Sequence, residues 1–290
     1  MSYIEYLLFL IMVNFLRVLP CRFVLFFLKC LFYIFGYICG VRKKVVIAQL
    51  RLCYPEKTFS EIKQLTKRIY KELAITCAEV FIFDDKYFEG KIELIGMDVV
   101  NDAHEQGRGV IVVSAHFSNW ELGAKILAKE YNKVYGIIKA MKNRYFNEYI
   151  NKSRNKAGIE TINMKSALKH IVAAIKNNQI VAVLTDQYAS KQGVKMDFLG
   201  FETKVYTSVA QLALKYKVPV IVAFDVRDDL GYHKIYFHNP SIDYDLEVNE
   251  ENILLITQKI NEHIEDYINN YPHLWFWVHR KFRNYLKNRG

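Results

Sequence analysis

His116 and Glu121 stand five residues apart in the stretch SAHFSNWELG (114–123), where an apolar run beginning at Gly109 gives way to a helix-like pattern. A histidine with a carboxylate beside it is a minimal device for taking a proton from a hydroxyl. The imidazole acts as general base, and the carboxylate fixes its tautomer and stabilises the imidazolium. Such base catalysis is worth roughly 10²- to 10⁴-fold. Five residues on one regular helix rotate by about 500°, so the two side chains meet only if His116 lies in a loop and Glu121 in the first helical turn. The pattern provides that arrangement, with Ser118 as the expected N-cap. The same letters also spell Ser118-x-x-Glu121, a capping box in which Glu121 serves the helix terminus and does no chemistry. Local pattern leaves both readings open.

Other chemistries find less support. HEQGR (104–108) begins like a zinc-protease helix, but Arg108 occupies the place of the second histidine. No G-x-S-x-G elbow exists, and no cysteine lies near His116 in the sequence, so a covalent Ser or Cys nucleophile is unsupported. No metal site is expected. What remains is a histidine acting directly on a substrate hydroxyl.

The elements that must position such a pair follow from the alternation of the text. GVIVVSA, KVYGIIKA, QIVAVLTD, VPVIVAFDV and YHKIYFHN read as strands, and helical patterns lie between most of them. The fold class is therefore α/β, a mixed and mostly parallel sheet flanked by helices. Open α/β sheets bind ligands beyond the carboxyl ends of their strands. His116, Lys139 and Asp186 each emerge at such an end. In front of the sheet, Lys43–Phe83 is helical, with Thr58 and Glu61 as a capping box.

The 290 residues suit one large domain, and 40 Lys and Arg against 30 Asp and Glu give a formal charge of +10. That excess favours anionic partners. Nucleic acid is not expected among them, since no recognised module appears. All five cysteines fall within the first 77 residues without C-x-x-C spacing, which reads as reduced structural thiols. YLLFLIMVNFL (6–16) and FVLFFLKCLFYIFGYICGV (23–41) form a hydrophobic N-terminus followed by Arg42, Lys43 and Lys44. Residues 1–44 are thus expected to be a membrane anchor, spanning or interfacial, with the basic end in the cytoplasm. Residues 45–290 are expected to be the catalytic domain.

With those residues in place, the sequence resembles the lipid A biosynthesis acyltransferases, the lauroyl/myristoyl-transferase branch of the lysophospholipid acyltransferase superfamily. SAHFSNWELG matches the H-x-x-x-x-[DE] box. KAMKNRYFNEYINKSRNKAG (139–158) resembles a segment carrying a basic residue, an Asn and R-x-x-x-G, at Lys139, Asn143, Arg154 and Gly158. LTDQ (184–187), the stretch from Gly193 to Phe224 and YPHLWFWVHRKFR (271–283) are similar to three further blocks. Ala140, His273, Trp275 and Lys281 depart from the family's usual residues, and an F-P-E-G-x-R block of a neighbouring branch is absent.

The resemblance implies acyl transfer from a thioester, on acyl carrier protein or coenzyme A, to a hydroxyl of an anionic glycolipid of the lipid A type. It implies no cofactor beyond that donor, and a place at the bacterial inner membrane with the catalytic domain in the cytoplasm. His116 would be the base and Glu121 its orienter. Arg154 and Asp186 would organise the site. Backbone N–H groups after His116, with the Asn119 side chain, are candidate oxyanion donors. Lys139, Lys142 and Arg144 would meet substrate phosphates unless they form a solvated basic face, and His279 and Arg280 would bind substrate or brace the C-terminal segment. Trp275 and Trp277 suit a strand edge or a membrane interface. Two other readings stay open: the same fold acylating a phosphatidylinositol mannoside or an amino-acid lipid, and a non-catalytic peripheral protein that binds anionic lipid.

Overall fold

The computed structural model describes residues 3–190 and 193–286, the side chain of residue 165 excepted. The chain opens with helix α1 (Tyr3–Arg17), turns at Pro20, and continues into α2 (Cys21–Phe32), which runs on as a π-helical stretch over Tyr33–Ile38. That stretch passes close over Tyr70, and a Cβ at Gly36 would lie 2.2 Å from the Tyr70 ring, so only glycine fits. Helices α3 (Lys43–Cys53) and α4 (Phe59–Phe81) follow. The Thr58/Glu61 capping box starts α4 as the sequence indicates, with Thr58 N donating to Glu61 Oε2 at 2.7 Å.

Leu16, Val24 and Leu28 pack against Ala74, Ala78 and Ile82 at the C-terminal end of α4. The opposite faces of α1 and α2 leave Ile4, Leu8, Ile11, Phe15, Phe23 and Phe26 in solvent. Among the described residues, Cys21–Ile38 is the one helix long and apolar enough to cross a membrane by length and composition.

The remaining elements are β1 (Ile92–Ile95), α5 (Met97–Glu105), β2 (Val110–Ser114), α6 (Trp120–Glu130), β3 (Val134–Ile138), α7 (Arg144–Lys156), β4 (Ile159–Asn163), α8 (Ala167–Lys176), β5 (Ile180–Leu184), β6 (Val194–Phe198), β7 (Phe201–Val205), α9 (Ser208–Tyr216), β8 (Val220–Arg227), β9 (His233–His238), α10 (Glu250–Asn270) and α11 (Arg283–Leu286). Seven strands form one sheet in the order β1-β9-β8-β2-β5-β3-β4. All pairings are parallel except β8 with β9. The expected mixed, mostly parallel α/β sheet is present.

Two features lie outside the sequence-based expectation. Edge strand β4 (IETIN) exposes Glu160 and Asn163 and has no apolar run to mark it. The β6–β7 hairpin alternates apolar with charged residues and turns at Leu199 and Gly200, both at positive φ.

The sheet's two faces follow from the two-residue period of a strand. Val110 and Val112 point toward α5 and α6, where they meet Val100, Leu122 and Leu127. Ile111 and Val113 point the other way, into the larger core with Val209 and Ile260 of α9 and α10. β2 is buried on both faces, so its only polar outlet is its carboxyl end.

Candidate active site

β2, β5 and β3 are neighbours in the sheet and run parallel, so their carboxyl ends open on the same edge. His116, Asp186 and Lys139 follow those ends. The His116 Nδ1 lies 2.8 Å from Asp186 Oδ1, and Trp275 Nε1 donates to Asp186 Oδ2, also at 2.8 Å. Burial alone would push the Asp186 carboxyl up. The His116 ring and these hydrogen bonds outweigh that and hold it below the usual carboxylate value. An ionised Asp186 keeps the proton on His116 Nδ1 and leaves Nε2 with its lone pair. The Gln187 amide nitrogen lies across the ring, 3.2 Å from Nε2.

The carboxylate on His116 is therefore not Glu121. Arg154 takes Glu121 in a two-armed ion pair, Nε donating to Oε2 at 3.0 Å and Nη2 to Oε1. The reason is local. The N-cap is Asn119 rather than Ser118, its Oδ1 accepting from Leu122 N at 3.2 Å. That start puts Trp120 between the two groups: its ring packs edge-on against His116, centroids 5.1 Å apart, while its Nε1 donates to Glu121 at 3.2 Å. Neither the Ser118 capping box nor a direct His116–Glu121 contact forms.

Behind the loop, Ser118 holds a left-handed φ of 47°. It donates from Oγ to Asp225 Oδ2 at 2.8 Å, and Asn119 N donates to the same oxygen at 2.9 Å. The Asn119 amide donates to Glu79 of α4 at 3.1 Å. Arg227 bonds Glu79 at 2.6 Å and Glu72 at 2.9 Å, and His233 contacts Asp225 at 2.9 Å. Burial would lower the His233 pKa, but Asp225 and Glu79 raise it to about 9. Asn119 is only 2% exposed, so its expected place as a substrate ligand is corrected: it is a cap and a brace.

His116 opens on a cavity of about 1260 Å³. Lys44, Lys139, Arg154, Arg280 and Arg283 line it together with His279, and no carboxylate among the described residues does. The structure thus gathers Lys139, Arg154, His279 and Arg280 as the sequence suggests. It does not bring Arg144 there: that guanidinium is exposed, donates to the Tyr145 hydroxyl at 2.8 Å and stacks on its ring. Four lining residues, Ile137, Met164, Leu184 and Tyr206, also border an apolar chamber of about 390 Å³ between the sheet, α8 and α9.

Trp275 and Trp277 are buried, at 3% and 0% exposed, and neither faces a membrane. Residues 274–276 instead bridge to the histidine loop, with Ser118 N donating to Leu274 O at 2.8 Å and Phe276 N to His116 O at 3.0 Å. Trp120, Gln187, Asp225 and Glu79 join the candidate site beyond the residues that the sequence singles out. Gln187 follows Asp186 directly, and Asp225 is a lone acid in a buried strand, a signal that was available. Nothing local marks Glu79.

The family described as "Bacterial lipid A biosynthesis acyltransferase" matches the chain over residues 1–284. The lipid A biosynthesis lauroyltransferase of Escherichia coli K12 is 23% identical over 252 residues, 83% of this chain and 79% of that protein. The myristoyltransferase of the same organism is 18% identical over 241 residues, 82% and 73% respectively. A phosphatidylinositol mannoside acyltransferase of Mycolicibacterium smegmatis is 22% identical over 133 residues, covering 43% of this chain and 42% of that protein.

Proposed function

We propose, from the premise that the chain belongs to the bacterial lipid A biosynthesis acyltransferase family, that this acyltransferase moves a fatty acyl chain from a thioester of acyl carrier protein or coenzyme A to a hydroxyl of a lipid A-type glycolipid precursor. The observation that carries the reading is the His116–Asp186 pair set at the mouth of a cationic cavity with an apolar chamber beside it. The cations suit a phosphorylated acceptor. The chamber, walled by Ile111, Ile171, Val181 and Leu212, suits an acyl chain.

The chemistry needs no protein nucleophile. His116 Nε2 takes the acceptor hydroxyl proton as that oxygen attacks the thioester carbon, and the carbonyl π pair moves onto oxygen. Collapse of the intermediate breaks the C–S bond, and His116 returns its proton to the departing sulfur, leaving an ester and a free thiol. Asp186 fixes the tautomer and stabilises the imidazolium. Glu121 acts through Arg154, holding that guanidinium at the cavity wall.

The acceptor is presented at a membrane surface. α2 packs along α4 through Val24 and Leu28 while its opposite face is apolar and exposed, which fits α1 and α2 lying in the interface rather than α2 crossing alone. The basic residues after it fit a cytoplasmic site at the inner membrane.

The test is transfer of a labelled acyl group from acyl carrier protein or coenzyme A to a tetraacylated lipid A precursor by the purified full chain. Product forms with the wild type and is lost in His116→Ala. Undiminished product in that variant would remove His116 as the base. Lipid mass spectrometry of a deletion strain identifies the acceptor. Intact lipid A with altered mannosides would favour the acceptor in the name of the mycobacterial relative.

A further inference from the structure

The tetrahedral intermediate places a negative charge on the former thioester oxygen, and donors must already be aimed at it. The backbone beside His116 has none to spare. Phe117 N donates to Ala115 O at 2.8 Å, Ser118 N to Leu274 O at 2.8 Å and Asn119 N to Asp225 Oδ2 at 2.9 Å. The Asn119 amide is spent on Glu79 at 3.1 Å. All four donors expected from the sequence point away from the cavity.

The cavity wall offers replacements of unequal rigidity. Lys139 and Arg280 are exposed and swing on long stems. The Gln187 amide lies against the base itself. His279 is fixed. Its carbonyl accepts from Gln49 Nε2 at 2.8 Å, the same buried amide that holds Trp277 O at 2.8 Å. Its N–H donates to Phe276 O at 3.2 Å, and Phe276 N donates in turn to His116 O at 3.0 Å. One short turn therefore ties the His279 backbone to that of His116.

The His279 ring has a defined tautomer for a physical reason. Its Nδ1 is buried without a partner. A proton there would be a buried N–H lacking an acceptor, costlier than a bare lone pair, so the proton sits on Nε2. Burial, helped by His116, Lys281 and Arg42 against the opposing pull of Asp186, lowers the ring's pKa to about 4 and keeps it neutral. A neutral imidazole N–H can polarise a carbonyl without titrating near pH 7.

We propose that His279 is a catalytic residue of the acyl transfer: its Nε2–H donates to the oxygen of the thioester carbonyl as that oxygen becomes an oxyanion. The hydroxyl oxygen forms the new bond to the carbonyl carbon, its proton goes to His116 Nε2, and the π pair moves to the oxygen that His279 binds. When the C–S bond breaks, that pair re-forms the carbonyl, and the thiolate takes the proton from His116. His279 keeps its own proton throughout, and no further reagent is required.

This assignment rests on the acyl-transfer reading, and the experiment separates the two. Full-length wild type, His279→Ala and His279→Gln are assayed with lauroyl-coenzyme A or lauroyl-acyl carrier protein and a tetraacylated lipid A precursor, with thermal midpoints measured alongside. Glutamine keeps an N–H donor at similar reach. His279→Ala should lower kcat by about 10²- to 10³-fold with little change in the donor KM, and His279→Gln should recover at least a tenfold part of that loss. A kcat in His279→Ala within threefold of wild type overturns the assignment. So does a change confined to KM, or an equal loss in both variants, which marks a structural brace. A wild type that transfers nothing from either donor overturns the acyl-transfer reading and this assignment with it.

Discussion

The loop from Ala115 to Asn119 has two unlike sides. Toward the cavity stands His116, 22% exposed in its side chain, with one carboxylate behind it and a wall of cations in front. Toward α4 the same loop is sealed by Asp225, Glu79, Glu72, Arg227 and His233, all buried and linked by hydrogen bonds. A charge on the first side can change because solvent reaches it through the cavity. A charge on the second side can change only by unpairing a buried neighbour, which is costly. In the proposed mechanism the first side carries the chemistry, and the second holds the backbone that aims it.

The sharpest way to break that contrast is to neutralise one carboxylate on the cavity side. Asp186→Asn preserves shape but no longer fixes the Nδ1–H tautomer, and its amide can donate to Nδ1 and move the proton to Nε2. We expect kcat to fall by about 10³-fold in steady-state acyl-transfer assays. Glu121→Gln, which leaves Arg154 without its charge partner, should cost less. A larger loss in Glu121→Gln than in Asp186→Asn would show that Glu121 serves His116 in the working enzyme.

That exchange of carboxylates marks where the sequence stopped being legible. Strand identity was readable because β2, β3, β5 and β8 are largely apolar runs, and from the ends of β2, β3 and β5 came the convergence of His116, Lys139 and Asp186. The pairing within the site was not, because it depends on rotation. One residue's difference in helix start, Asn119 for Ser118 as the cap, turns Glu121 toward Arg154 and lets Trp120 in between. The partner of His116 comes from a strand end 70 residues away, a contact no local spacing encodes. β4 and the β6–β7 hairpin escaped notice because their exposed faces carry the charges that normally mark loops.

A smaller effect belongs to the sealed side and should appear in stability. His233 has a folded-state pKa raised from 6.5 to about 9: burial opposes the charge, and Asp225 and Glu79 outweigh it. A raised pKa means the folded protein holds the proton more tightly. The stabilisation is therefore full below pH 6.5 and is lost as pH rises through about 9, amounting to roughly 3 kcal/mol at most. Urea midpoints should decline across that window in the wild type and decline less steeply in His233→Gln. Parallel pH curves for the two proteins would show that His233 is neutral in the folded state.

The mildest test compares two helix caps of similar geometry. Thr58 caps α4 from an exposed position far from the cavity, accepting from Glu61 N at 3.3 Å. Asn119 caps α6 within the sealed network, accepting from Leu122 N at 3.2 Å while donating to Glu79. Replacing either by alanine removes one cap, worth about 1 kcal/mol. In Thr58→Ala that is the whole effect, and activity at a temperature well below the melt should be unchanged. Asn119→Ala also frees the loop from Glu79, so the direction of His116 loosens and kcat should fall beyond what lost stability explains. Equal activity in the two variants at equal folded fraction would mean that the loop is aimed without the Asn119 side chain, and would confine the positioning role to the two hydrogen bonds on Asp225, from Ser118 Oγ and the Asn119 backbone N–H.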